Sequence, residues 1–197
     1  MKQMKDGKNE DALVSLRKAI AVFPDYFQAH FILAGELIKQ SKYNDAIAEL
    51  DQARRINPKD DRVYQSFGSI LMQQHKYSVA AAVFAEASRL NPREPEYPLM
   101  RGQALLAQAA SIDPSQSKDA VTARDGALND AEADITKAYF LSGKKLASAH
   151  LLLASVYEKK GDRSRAANEL ENYLRENPQT KSAEAIREAI KKLRANH

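Results

Sequence analysis

Cysteine and tryptophan are absent from this chain, and glycine occurs only seven times in 197 residues. Without cysteine there is no disulfide, no zinc ribbon and no thiol nucleophile, and cysteine usage says nothing about compartment. No glycine-rich phosphate loop and no Gly-x-Ser-x-Gly nucleophile turn occurs. No apolar run approaches the roughly 20 residues that a membrane span requires. The stretch Met1-Lys-Gln-Met-Lys-Asp-Gly7 lacks the apolar segment of a signal peptide. The expectation is therefore a soluble chain with no targeting signal, cytoplasmic by default and extracytoplasmic only if it is a segment of a longer protein.

What is present reads as helix. Hydrophobic residues make up 44% and charged residues 28%, close to globular averages, and Ala, Leu, Lys, Glu and Arg are strong helix formers. The net charge of +4 is uneven, because ten basic and six acidic residues lie from Lys159 onward. Interspersed signs such as Arg165 with Glu169 read as a solvated helix face rather than a nucleic-acid surface. The four histidines, His30, His75, His150 and His197, have no metal-ligand spacing, and alternating carboxylates such as Asp130, Glu132 and Asp134 point in different directions along a helix. No catalytic, metal or cofactor site is predicted, and the chain is read as non-enzymatic.

The organising feature is a 34-residue period. Superposing 27–60 on 61–94 aligns Leu33 with Phe67, Ala34 with Gly68, Leu37 with Leu71, Tyr43 with Tyr77, Ala46 with Ala80, Leu50 with Phe84, Ala53 with Ala87 and Pro58 with Pro92. Fixed-period self-similarity marks a solenoid, which grows by adding helix pairs rather than by enlarging one core. The small residues fall where paired helices cross, and Asn57-Pro58 and Asn91-Pro92 end second helices because proline pushes its predecessor out of the α region. The predicted pairs are 27–40 with 43–56 and 61–74 with 77–90. Residues 147–180 repeat the pattern, with Tyr173 where the others have Ala.

Two regions depart. Residues 8–26 form a half repeat, a second-type helix over 8–23 whose stripe of Leu13, Leu16 and Ile20 is expected to lack a neighbour on one side. Residues 95–146 carry an insertion at 111–126, expected to lengthen the second helix to about 118–142 after an N-cap near Ser117. There Arg101 takes an apolar place and is expected to point inward toward Asp130 or Asp134. The last helix, about 181–195, has one apolar stripe and one charged face, as a terminal cap requires. The whole, 1–197, is read as a single domain of this kind.

These residues resemble the tetratricopeptide repeat. In its Asn-Pro endings and turns such as Tyr43-Asn44-Asp45-Ala46, the sequence is similar to the bacterial branch of that family. The resemblance implies an all-α, right-handed superhelical solenoid of antiparallel helix pairs, with first helices lining a concave groove that binds a protein or peptide segment. The carboxylate clamp of one branch would fall on Phe31, Gly35, Ser66, Glu96 and Met100, which lack the needed donors, so it is rejected. The groove predicted here comprises Phe31, Ile38, Gln65, Ser69, Met72, Leu99, Gln103, Leu106, Leu151 and Ser155, an apolar floor with amides and hydroxyls between. The competing reading is that curvature or the insertion already buries them. A second functional class, an oligomerisation or spacer module, would self-associate as a homodimer through Leu13, Leu16 and Ile20.

Overall fold

The computed structural model describes residues 2–195, with side chains from Asp11 onward, as ten α-helices and no strand among the described residues. The backbone gathers into two compact units, Met1–His75 and Lys76–His197.

The N-terminal unit holds α1 (Lys2–Val22), α2 (Phe27–Lys39), α3 (Tyr43–Ile56) and α4 (Asp61–Gln73). The first helix begins earlier than its expected start at residue 8, running through Gly7. One glycine inside a helix costs only about 1 kcal/mol relative to alanine, too little to stop it. In this unit α2 packs on both α1 and α3, and α4 packs on α3 and α2. Leu13, Phe27, Leu33, Leu37, Leu50, Val63 and Ile70 form the core, with Ala34, Ala46 and Ala53 wholly buried among them. Each buried leucine contributes roughly 1.5–3 kcal/mol. The alanines, having no bulk beyond Cβ, let the helix axes approach closely.

The C-terminal unit holds α5 (Tyr77–Leu90), α6 (Glu96–Ser111), α7 (Lys118–Leu141), α8 (Ser148–Lys160), α9 (Arg163–Glu176) and α10 (Ala183–Ala195). The insertion does what its helical spacing predicts. Ser117 caps α7, its hydroxyl accepting the N–H of Ala120 at 3.0 Å, and α7 passes through Gly126, beside which a side chain would meet only open space. Pro98 is the third residue of α6, where no intrahelical N–H bond is lost. Gly102 keeps its place in the pattern for a steric reason. A Cβ there would lie 2.6 Å from Ile135 Cγ1 and 3.3 Å from the Ala131 carbonyl, so α6 and α7 touch backbone to side chain at this point. Tyr97 is buried as well.

The ends of the helices follow the punctuation. Asn57, Asn91 and Asn177 stop α3, α5 and α9 with φ of −133°, −131° and −130° and ψ of 87°, 83° and 64°, outside the α region that the following proline disfavours. The turns after α2, α4 and α8 need a left-handed residue, supplied by Ser41 (φ 58°), His75 (φ 57°) and Gly161 (φ 78°). One place in the repeat is thus filled by three residue types, of which glycine alone takes it without strain.

Candidate functional site

The expected groove residues of the N-terminal unit lie on α2 and α4. Phe31 and Ile38 are half-buried, resting on the unit's core, and Gln65, Ser69 and Met72 are half-buried beside them on α4. Phe31 stacks on Phe27 at 5.8 Å with rings nearly parallel, and the Arg62 guanidinium stands 5.1 Å from its centroid. A cation over a ring face is held by the ring quadrupole, and the same guanidinium is paired with Asp60 at 2.6 Å. The Ser69 hydroxyl donates to the Gln65 carbonyl on its own helix at 2.9 Å, which leaves its oxygen lone pairs as the free hydrogen-bonding element.

In the C-terminal unit the expected residues lie on α6 and α8, which are in contact. Leu99, Leu106, Leu151 and Ser155 are half-buried and Gln103 is exposed. Leu151 packs against Ala154, Leu170 and Ile186, so it is partly committed to the core shared by α8, α9 and α10.

Polar side chains tie each unit together and were only partly foreseen. His30 and His150 are buried, as their shared place in the repeat suggests. His30 Nε2 donates to the Pro24 carbonyl at 2.8 Å while Nδ1 lies 2.6 Å from Glu49 Oε2. A carbonyl only accepts, so the contact with Pro24 fixes the orientation of the ring between α2 and α3. On α4 the same place is Tyr64, whose hydroxyl donates to the Pro58 carbonyl at 3.0 Å. His150 has Nδ1 2.6 Å from Glu169 Oε2 and, with no proline to bond, turns Nε2 toward Glu176 at 3.4 Å.

The interrupted region holds two further clusters. Arg101 Nη1 donates to Asp134 Oδ2 at 2.8 Å, and its Nη2 lies 3.8 Å from Asp130. Burial raises the Asp134 carboxyl above its ordinary value despite the opposing charge of Arg101. Glu132 accepts from Tyr157 at 2.8 Å and from Lys160, with Arg165 at 3.4 Å. Burial pushes Glu132 up, but those donors outweigh it and hold the carboxyl below its ordinary value. Burial and the bond to Glu132 push the Tyr157 hydroxyl up to about 12. These are structural pairings, each residue occupied by another of the same unit.

The stripe expected to self-associate lies against the N-terminal core. Leu13 is 6% exposed and belongs to the N-terminal core, and Leu16 and Ile20 pack against that core. The helix is turned so that this stripe meets α2, which spends its apolar surface inside the unit. What α1 leaves open is Val14 and Val22, followed by Phe23 and Tyr26 in the turn. Sequence reasoning passed over Phe23 and Tyr26, although they break the Asn-Pro turn pattern that it had recognised. The expectation for His197 lies outside the described residues.

Tetratricopeptide repeat profiles match residues 3–67, 66–139 and 147–180. The chain belongs to the tetratricopeptide repeat family. No curated protein sequence matches it. Among solved structures, this tetratricopeptide repeat chain is similar to MamA from Desulfovibrio magneticus RS-1, at 16% identity over 91% of each chain and a TM-score of 0.73. It is similar to YrrB, a TPR protein with an unusual peptide-binding site, at 16% identity over 94% of this chain and 86% of that one, with a TM-score of 0.72. A human IFIT1 dimer with m7Gppp-AAAA matches at 18% identity and a TM-score of 0.67, this chain covering 36% of that one. At such identities the likeness is one of fold. Family membership supports a protein–protein interaction scaffold, and members of this family are in general not enzymes. No helix among the described residues is long and apolar enough to cross a membrane.

Proposed function

We propose that this tetratricopeptide repeat chain binds a peptide or protein segment on the faces presented by its first-type helices. In the N-terminal unit the face is Phe31, Ile38, Gln65, Ser69 and Met72 on α2 and α4. In the C-terminal unit it is Leu99, Gln103, Leu106, Leu151 and Ser155 on α6 and α8. The observation that carries the reading is the intermediate burial of nine of these ten side chains, with Gln103 exposed. Apolar groups that are neither sealed in the core nor bare, interleaved with amides and hydroxyls, suit a ligand whose side chains meet the apolar floor while its backbone bonds the polar groups. The ligand is therefore an apolar or amphipathic segment without a required terminal carboxylate, since the clamp donors are missing. YrrB, with its peptide-binding site, lends the reading support by analogy of fold.

A displayed library of random short peptides, selected on the intact protein, tests this. Selected peptides should lose binding to a Met72→Lys variant or to a Leu106→Lys variant, each of which buries a charge beneath the ligand. Peptides that bind both variants as tightly as the parent would place recognition elsewhere and refute the reading.

A further inference from the structure

The α7 helix ends unlike the other second-type helices. Its Ala138 holds the place of Ala53, Ala87 and Tyr173, and two residues later those helices carry Arg55, Arg89 and Arg175 where α7 carries Phe140. Asn-Pro closes each of the three, whereas Ser142-Gly143 stands at the end of α7. A place that elsewhere holds a solvated guanidinium thus holds a bare ring. Phe140 is 60% exposed and Leu141 beside it 38%. Both α6 and α8 already pack against α7, so this exposure belongs to an interior helix with its neighbours in place. An exposed aromatic next to an exposed leucine marks an interaction surface.

The charges around the ring are of one sign. Lys137 precedes Phe140 by three residues and Leu141 by four, which puts all three on one face of the helix. Gly143 and Lys144 then turn the chain through left-handed φ of 66° and 64°, and the Lys144 ammonium comes to 5.8 Å from the Phe140 ring centroid. Lys145 follows and is exposed. Among the described residues Lys144 and Lys145 form no salt bridge. The carboxylates of this region are taken, Asp130 and Asp134 by Arg101 and Glu176 by His150 and Tyr139. Lys137 acts on the buried Asp134 carboxyl through its charge alone.

We propose that the end of α7 is a docking surface for an anionic lipid membrane. Phe140 and Leu141 enter the headgroup layer, and Lys137, Lys144 and Lys145 lie against its phosphates. The choice of cation favours this occupant. An arginine fork suits a single carboxylate held in fixed geometry, whereas a lysine ammonium is a point charge on a flexible stem and suits a diffuse anionic surface. Apolar side chains that protrude among lysines match the arrangement of interfacial helices. A second copy meeting this surface face to face would set lysines against lysines. One aromatic residue with three lysines gives reversible binding rather than stable anchoring. The surface lies on a second-type helix and is separate from the faces of the first-type helices.

Co-sedimentation of the intact protein with vesicles tests this. Vesicles of phosphatidylglycerol and phosphatidylcholine in equal parts should bind the protein where pure phosphatidylcholine vesicles do not, and added salt should weaken the binding. Replacing Lys144 and Lys145 together by Gln should weaken it about twenty-fivefold, about fivefold for each charge. Phe140→Gln should weaken it about tenfold. All three positions are exposed, so circular dichroism should find the helices intact in both variants. Absence of binding, equal binding to the two kinds of vesicle, or indifference to both variants overturns the proposal. So does a soluble peptide of alternating Glu and Leu that shifts the Phe140 and Lys144 resonances when anionic vesicles do not, because the occupant is then a protein segment. A dimer that Phe140→Gln dissociates overturns it too, the occupant then being a second copy.

Discussion

The two units meet the same structural demand by different means. In the N-terminal unit the regular pattern holds, and leucines interlock with alanines around Leu33, Leu37 and Leu50 with one buried polar pair, His30 with Glu49. In the C-terminal unit the pattern is interrupted between α6 and α7, and further charged groups enter the packed layers, Arg101 with Asp134 and Glu132 with Lys160 and Tyr157, while His150 with Glu169 repeats the pair of the N-terminal unit. The lesson is that a repeat tolerates an insertion when the residues that lose their apolar place find hydrogen-bonded partners on the next helix. A buried charge is expensive alone and bearable in a pair.

The largest effect is expected from Arg101→Leu, which restores an apolar residue to an apolar place. It leaves Asp134 buried without its partner and should destabilise the protein by about 2 kcal/mol, below the usual range for fully buried pairs because Arg101 is partly exposed. The double variant Arg101→Leu with Asp134→Leu should recover most of the loss in urea denaturation. Normal stability of the single variant would mean that the pair is ornamental and that both units rely on apolar packing alone.

Next in size is a matched pair of glycine substitutions. Gly102→Ala drives a Cβ into Ile135 and should cost about 1–2 kcal/mol. Gly35→Ala on α2 meets open space and should gain up to about 1 kcal/mol from helix propensity. Thermal melts of the two variants moving in the same direction would contradict the close α6–α7 approach.

The smallest effect is on pH dependence. Glu132 sits below its ordinary value in the fold, so the stability it contributes is complete above the ordinary carboxylate range and is lost as pH falls through its lower folded value. Asp134 has the opposite sign. Held above its ordinary value, it takes up a proton first in the folded state, and the protein gains relative stability as pH falls from that folded value toward the unfolded one. Urea midpoints from about pH 7 to about pH 3 should therefore fall less steeply for Glu132→Gln and more steeply for Asp134→Asn. Reversed slopes would show that the pairing of Lys160 and Tyr157 with Glu132 does not persist in solution.

Much of this was legible in the chain. The Asn-Pro endings stop three helices where the sequence places them, because proline acts on its immediate predecessor and needs no distant contact. The continuation of α7 through the insertion was legible from the spacing of Ala120, Val121, Leu128, Ala131 and Ile135. So was the inward turn of Arg101, since an amphipathic stripe carries its own direction. The candidate faces were legible as places on first-type helices, but how deep each side chain lies was not. Leu151 shows why: its burial is set by Leu170 and Ile186 on other helices.

Local geometry and period were enough to place the helices, the ends set by Asn-Pro, and the residues that could face a neighbour, though not the start of α1. Which neighbour each face received was set by packing between helices. Leu13, Leu16 and Ile20 look bare in the sequence, yet α2 covers them, while Ala12, Val22 and Phe23 remain open. Period tells how side chains are distributed around a helix axis, but the rotation of that axis against its neighbour is chosen by the packing energy of both surfaces together.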